Sequence, residues 1–335
     1  MSRTGVEAKP AWRSVPAPVR REAGLTLGAE VTRAMRVYGG FSATPTFRLR
    51  LSDGRRAFFK AASAESTPFA HGAHTQEERI YRELRPFIGK WAPEFYGAFA
   101  IEGWRVMLLE DLGPKTAPPW KPNVLRAVAR AFGDFHRENQ SAAFPDWLDR
   151  PQTQLMTPDQ LWITVQEFDR DSVANLAGSA AADARRWLDS ALPVLTRVSR
   201  TIGEVGQPYS LIHRDVRSDN LRWTPDGLRL LDWPHPGVGP AEYDIVEFAQ
   251  SVETEGGPSA GQVLAWYGER FPLRNDAIDA SVASLASFFA TYAHRPDIPG
   301  LPRLRSFQRA QLRVTLAWAA RRLKLPDPAW LAAVQ

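Results

Sequence analysis

Leu211-Ile-His213-Arg-Asp215-Val-Arg-Ser-Asp-Asn220, followed by Leu228-Arg-Leu-Leu-Asp232-Trp233, is the stretch of this 335-residue chain that decides its reading. An apolar run leads into His213 and Asp215, Asn220 falls five residues after Asp215, and Asp232 ends a second apolar run. Taken singly, Asp and Asn are ordinary turn formers in a strand–turn–strand unit. Taken together, they offer a carboxylate able to accept a proton, then an amide oxygen and a second carboxylate, hard donors of the kind that hold Mg²⁺. His213 reads as a brace that steadies the turn by hydrogen bonding rather than as a base.

Working outward, the chain before this stretch is rich in strand signals. Phe47, Leu49 and Leu51 alternate with Arg48 and Arg50, the period of a half-buried strand. Asp53-Gly54 makes a turn, and Arg55–Ala61 returns. Phe95–Ile101 and Trp104–Leu109 form two more strands joined at Glu102-Gly103. After a loop at 62–74, Thr75-Gln-Glu-Glu78 has the form of a capping box and predicts a helix through Leu84. A short amphipathic helix is expected over Leu25–Arg36, behind Pro- and Arg-rich residues 1–22 that are expected to be only partly ordered.

Four prolines between Gly113 and Pro122 mark a boundary. Beyond it helical spacing dominates: Val124, Val128, Ala131, Phe132 and Phe135 share a face, as do Leu188, Ala191, Leu192, Leu195 and Val198. Ile278, Val282, Leu285, Phe289 and Tyr292 form a third such face. The layout is α+β. A partly ordered segment (1–24) precedes a small antiparallel-sheet lobe (25–112), and a larger, mostly helical lobe follows (113–335).

The offsets of His213, Asp215, Asn220 and Asp232 match the arrangement H-x-D-x-x-x-x-N … D of kinases. Transfer of a γ-phosphoryl group asks for an in-line hydroxyl, metal ions on the phosphates and little covalent help, which these residue types can serve. On these residues the chain resembles the aminoglycoside phosphotransferase and choline kinase-like family over roughly residues 25–325. Its Asp-Val-Arg-Ser-Asp-Asn and Asp-Trp-Pro-His runs are similar to a bacterial branch of phosphotransferases. The resemblance implies a two-lobed protein-kinase-like fold, ATP and Mg²⁺ as cofactors, Asp215 as catalytic base with His213 beside it, and Asn220 and Asp232 as metal ligands. Trp-Pro after Asp232 stands where protein kinases have Phe-Gly, a departure usual for small-molecule kinases.

Other positions acquire meaning beside these. Lys60 ends the apolar strand Ala57-Phe-Phe-Lys60, where the phosphate-pairing lysine of a kinase sits, and either Glu77 or Glu78 could be its partner. Tyr38-Gly39-Gly40-Phe41-Ser42 precedes that strand, and glycine lets backbone amides approach a phosphate. It is not a G-x-G-x-x-G loop. In the family, Glu110-Asp-Leu112 would be the hinge whose backbone receives the adenine edge, and Asp244 would steady the catalytic loop.

No Ala-Pro-Glu follows Asp232, so the expected acceptor is a small hydroxylated molecule: an aminoglycoside-like antibiotic, a sugar or an amino alcohol. Glu242, Glu247, Glu253 and Glu255 could attract a polyamine or could simply line a solvated helix face, and Trp147, Trp162 and Trp187 could line a pocket or fill a core. One fold hosts many acceptors, so the resemblance does not name one. The alternative function is a nucleotide-binding pseudokinase that regulates a partner.

Composition narrows the field further. With no cysteine, neither a disulfide framework nor a thiolate metal site is possible, which fits a reducing cytoplasm. No stretch of about 18 apolar residues occurs, so no membrane association is expected. The net charge of +5 comes from 42 basic residues mixed with 37 acidic ones rather than from a basic run, so no nucleic-acid partner is expected.

Overall fold

The computed structural model describes residues 6–115, 117–150, 158–233 and 235–335. Residues 1–5 of the N-terminal segment, Thr116 of the proline-rich stretch and Pro234 of the Asp-Trp-Pro-His run lie outside the described residues. In chain order the first elements are α1 (Ala17–Leu27), β1 (Val31–Arg36), β2 (Thr46–Leu51), β3 (Arg56–Ala62), α2 (Pro68–Glu83), α3 (Arg85–Ile88), β4 (Phe95–Ile101) and β5 (Trp104–Glu110). Next come α4 (Pro122–Glu138), α5 (Pro158–Thr164), α6 (Arg170–Asn175), α7 (Ala181–Arg200), β6 (Ser210–Ile212), β7 (Leu221–Thr224), β8 (Gly227–Leu230) and β9 (Gly237–Gly239). The chain closes with α8 (Glu242–Thr254), α9 (Ala260–Gly268), α10 (Asn275–Tyr292) and α11 (Leu304–Arg322). No helix among the described residues is long and apolar enough to cross a membrane.

The chain divides into two units. The first takes Met1–Thr116, Asp219–His235 and Ile298–Arg303; the second takes Ala117–Ser218, Pro236–Asp297 and Leu304–Gln335. This differs from a single cut after residue 112, because the β7–β8 hairpin joins the first unit. The Leu230 amide donates to the Trp91 carbonyl (2.6 Å), and Lys60 reaches Asp232.

The first unit is built on an antiparallel sheet in the order β1-β2-β3-β5-β4. Phe47, Leu49 and Leu51 of β2, Ala57, Phe59 and Ala61 of β3, and Trp104, Val106 and Leu108 of β5 are buried on one face with Val15, Val19, Ala23 and Leu27. Alternation therefore sends Phe58 and Lys60 to the other face. Trp12 meets Phe47 and Phe59 edge-on, with ring centroids 5.0 and 5.2 Å apart. Each fully buried side chain of this size contributes on the order of 2 kcal/mol.

Three expectations for this unit are corrected. The helix lies at Ala17–Leu27, not Leu25–Arg36, and the residues expected to be partly ordered contribute Val15, Val19 and Ala23 to the core. Gly28, at φ +68°, ends α1 in the left-handed conformation that favours glycine, after which Val31–Arg36 pairs with β2 as an edge strand. The helix at Glu77 also starts earlier than the capping box implied. Thr67 is its N-cap, with Oγ1 accepting from the Ala70 amide (3.2 Å), and Pro68 opens its first turn. Thr75 lies mid-helix and donates back to the His71 carbonyl (2.9 Å).

The second unit is mostly helical. Val128, Phe132 and Phe135 of α4 and Leu188, Ala191, Leu192 and Leu195 of α7 are buried, as their spacing predicts, whereas Val124, Ala131 and Val198 are only half-buried and Leu125 takes the buried place expected of Val124. Helix α10 is enclosed on more than the one face its apolar residues mark. Its Ser281 and Ser284 hydroxyls donate to the carbonyls four residues back (both 2.7 Å), so small residues admit neighbouring helices without orphaned polar groups. Trp162 and Trp187 belong to packed interior, their indoles donating to the carbonyls of Ala283 (2.9 Å) and Pro326 (2.7 Å).

Candidate active site

The residues singled out in the sequence form two constellations, one in each unit. In the first, β3 presents Lys60 on the face of the sheet opposite the apolar core. Its ammonium lies 2.6 Å from Glu77 Oε2 and 2.6 Å from Asp232 Oδ1. Helix α2 supplies Glu77, whose side chain is 3% exposed and whose other oxygen accepts from the Trp233 amide at 3.4 Å. Glu77 is therefore the partner. Glu78 instead pairs with Arg82 (3.0 Å) and Arg105 (3.2 Å). Burial alone would lower the Lys60 ammonium, but the carboxylates of Asp232 and Glu77 outweigh it and hold the group charged, above its usual range.

The β7–β8 hairpin sets the other members. Leu221 pairs with Leu230, and beyond that pair the Leu231 amide donates to the Asn220 carbonyl at 2.7 Å. Asn220 and Asp232 thus flank the open end of one hairpin. Asp232 has φ +58°, a left-handed conformation uncommon outside glycine, and 42% of its side chain is exposed although Lys60 holds one oxygen. Trp233 is fully buried and donates from its indole to the Leu230 carbonyl (3.0 Å), so an aromatic ring fixes the turn after the acid.

Gly39 (φ +113°) and Gly40 (φ +74°) adopt conformations that a side chain would strain. The Gly39 amide donates to Glu7 Oε2 (3.1 Å), and the Ser42 hydroxyl meets that of Thr44 (2.7 Å). Glu110 ends β5, its amide donating to the Glu94 carbonyl (2.8 Å). Half-buried Leu112 follows Asp111, which pairs with Arg48 of β2 at 3.2 Å and so ties this segment to the sheet.

In the second unit, β6 pairs with β9 and delivers the chain into the His213–Asp215 turn. Asp244, at the start of α8 and fully buried, accepts from the His213 amide with Oδ2 (2.6 Å) and from the Arg214 amide with Oδ1 (2.9 Å). Arg214 has φ +65°, rare for so large a residue, and its guanidinium reaches Asp149 Oδ2 at 3.0 Å. His213 is fully buried, and its Nδ1 accepts from the Asp215 amide (3.2 Å), the bracing part its sequence position suggested. Arg217 lies 3.3 Å from Asp215 Oδ1.

Two partners here, His136 and Tyr267, carry no sequence signal of their own. His136 of α4 is fully buried, its Nε2 3.2 Å from Asp244 and its Nδ1 2.7 Å from the Tyr267 hydroxyl. Glu247, one turn of α8 beyond Asp244, accepts from the Val216 amide at 2.8 Å. Burial, then the neighbouring charge of Asp215, pushes its carboxyl up to about 8. Glu247 belongs to the acidic group singled out in the sequence, but it holds this turn rather than a solvated face.

The remaining acids of that group are also engaged. Glu242 is fully buried against Arg274 (2.9 Å), Glu253 accepts from the Ala260 amide (2.7 Å), and Glu255 accepts from the Trp120 indole (2.8 Å) and the Ser218 hydroxyl. They are not a solvated face.

A small antiparallel sheet carrying a buried Lys–Glu pair, and a helical unit carrying a braced Asp, define the kinase-like fold, and solved structures share it. Spectinomycin phosphotransferase in complex with ADP and spectinomycin aligns with a TM-score of 0.61 at 13% identity, over 91% of this chain and 98% of that one. Choline kinase from Streptococcus pneumoniae gives 0.56 at 13% identity, over 89% and 98%. Amicoumacin kinase in complex with AMP-PNP, Ca²⁺ and Ami gives 0.55 at 12% identity, over 90% and 94%. A comparison with curated proteins finds no match. The profile of the phosphotransferase enzyme family matches residues 34–278, well over half of the chain. The chain belongs to this family and is a small-molecule phosphotransferase.

Proposed function

We propose that the enzyme transfers the γ-phosphoryl group of ATP, with Mg²⁺, to a hydroxyl of a small acceptor such as an aminoglycoside-like antibiotic, a sugar or an amino alcohol. The observation that carries this reading is the Lys60 ammonium held 2.6 Å from both Glu77 and Asp232. A lysine fixed this way is a preorganised point charge for a phosphate oxygen. Lys60, Gly40 and Ser42 serve the phosphates, and the backbone at Glu110–Leu112 serves the base; Gly39 takes part once its amide leaves Glu7.

The donor set suits Mg²⁺. Asn220 offers an amide oxygen and Asp232 an accessible carboxylate, two hard ligands that leave the remaining positions to phosphate oxygens and water. Mg²⁺ supplies neutralisation of the charge that develops on the phosphates. Asp215 orients the acceptor hydroxyl and takes its proton as that oxygen bonds to the γ-phosphorus; the bond from phosphorus to the bridging oxygen breaks and ADP leaves. His213 is enclosed and holds the Asp215 amide, so it positions the base without touching substrate. Asp215, Asn220 and Asp232 are all present, and no observation favours the pseudokinase alternative.

The test is Mg²⁺-dependent ADP release by the wild type and Asp215→Ala across aminoglycosides, other antibiotics, sugars and amino alcohols. Release stimulated by one class and reduced about 1,000-fold in the variant is the expected result. Tight Mg²⁺-ATP binding with no acceptor-stimulated release would favour the pseudokinase, and failure to bind nucleotide would remove the reading altogether.

A further inference from the structure

Lys9 is a buried cation that neither the sequence pattern nor the proposed reaction uses. It is 8% exposed, and its ammonium donates to Thr46 Oγ1 at 2.7 Å. Thr46 stands directly opposite Lys60 in the β2–β3 register, so the two side chains share a face of the sheet. The Lys9 charge therefore enters the same face as Lys60, where it feels the carboxylate of Glu7 first and then Lys60 and Asp232.

The segment carrying it is secured without that side chain. The Ala8 amide donates to the Gly300 carbonyl (3.1 Å), the Lys9 carbonyl accepts from Arg36 (2.9 Å), and Glu7 is held by the Gly39 amide and by Arg303. Among the described residues no carboxylate pairs with Lys9, whereas Lys60 has two. An ammonium carries three donors, and Thr46 takes one. The Glu7 carboxylate offsets part of the cost of burying such a charge, but it is itself held by Arg303 and the Gly39 amide, and burial still lowers the Lys9 ammonium to about 8. Keeping it there makes sense if an anion completes it.

We propose that Lys9 is a second phosphate-binding cation, contacting the polyphosphate of the nucleotide beside Lys60. This rests on the proposed use of ATP. A role confined to holding the N-terminal segment would make Lys9 a stabilising residue with no interest in phosphate. A phosphate-binding role makes it a residue that lowers stability in the free enzyme and raises affinity in proportion to the charge of the ligand.

Calorimetric titration of wild type and Lys9→Met with Mg²⁺-ATP and with adenosine, alongside the Tm of each free protein, separates the two. The expected result is about tenfold weaker Mg²⁺-ATP binding in the variant, adenosine affinity within twofold of wild type, and a Tm that does not fall. Unchanged Mg²⁺-ATP affinity, or ATP and adenosine weakened alike with a lower Tm, overturns the proposal and leaves Lys9 a structural cation. If Lys9→Met does not fold, Lys9→Gln, which keeps a donor for Thr46, is titrated with the same two ligands and judged by the same ratio. A wild type that fails to bind Mg²⁺-ATP removes the functional reading itself, a result distinct from a wild type that binds and a variant that binds equally well.

Discussion

The two constellations hold their key side chains by different physics. In the first unit, Lys60, Glu77 and Asp232 are bound by opposite charges across sequence separations of 17 and 172 residues. In the second, the turn at His213–Asp215 is held by backbone amides, two of them on the single carboxylate Asp244. Charges attract over distance and tolerate small displacement, whereas amide hydrogen bonds fix geometry within tenths of an ångström. The phosphate-binding role proposed for Lys60 calls for the first property, and the role proposed for Asp215 as base calls for the second.

The comparison is broken most severely at Asp244. Replacing it by Ala leaves the His213 and Arg214 amides and the His136 ring without their acceptor inside the unit. Each orphaned buried donor costs about 1–3 kcal/mol, and Arg214 loses what keeps it at positive φ. The expected outcome is a loss of about 4 kcal/mol in denaturant unfolding. Turnover should fall at least about 100-fold, in kcat more than in KM for ATP. A variant that keeps wild-type kcat would show that the amide clamp does not position Asp215.

Lys60→Met should act differently. It leaves Glu77 buried and facing the charge of Asp232, with an expected cost of about 3 kcal/mol. Because the hold is electrostatic, adding Glu77→Gln removes the stranded charge and should restore most of the stability while ATP binding stays weak. A double-mutant cycle in Tm and in ATP affinity reads both. If Glu77→Gln fails to rescue the fold, the triad is not held by charge in the way described.

The parts legible in the sequence were those whose cause is local. Alternation placed Phe47, Leu49 and Leu51 on one face of β2, and the short offsets among His213, Asp215 and Asn220 singled out the segment that carries the candidate residues. What escaped depended on distant partners. Leu25–Arg36 carries helical spacing, yet Gly28 breaks the helix and pairing with β2 makes the remainder a strand. Thr75-Gln-Glu-Glu78 has the right letters for a cap, but Thr67-Pro68 starts the helix two turns earlier. Glu77 and Glu78 are neighbours in sequence, and only the direction each faces on α2 separates a partner of Lys60 from a partner of Arg105. His136 and Tyr267 are 131 residues apart and meet only because α4 packs on α9. No local pattern could have announced them.

A last test asks whether a charge intrudes on the amide-held turn. Glu247 accepts from the Val216 amide, and its carboxyl is raised to about 8 by burial and by Asp215. A folded-state value above the ordinary one of about 4.3 means that the native protein binds more protons than the unfolded chain between these two values, so this group lowers stability as pH rises. Glu247→Gln keeps an oxygen for the Val216 amide and removes the titration. Wild type and variant should therefore match near pH 4, where both native and unfolded Glu247 are protonated. The variant should gain steadily from about pH 5 to 8 and hold that gain above pH 8. Parallel denaturant titrations across this range check it. A difference that is flat with pH would mean that Glu247 is ionised throughout, and that the turn below Asp215 is held by a charge as the Lys60 triad is.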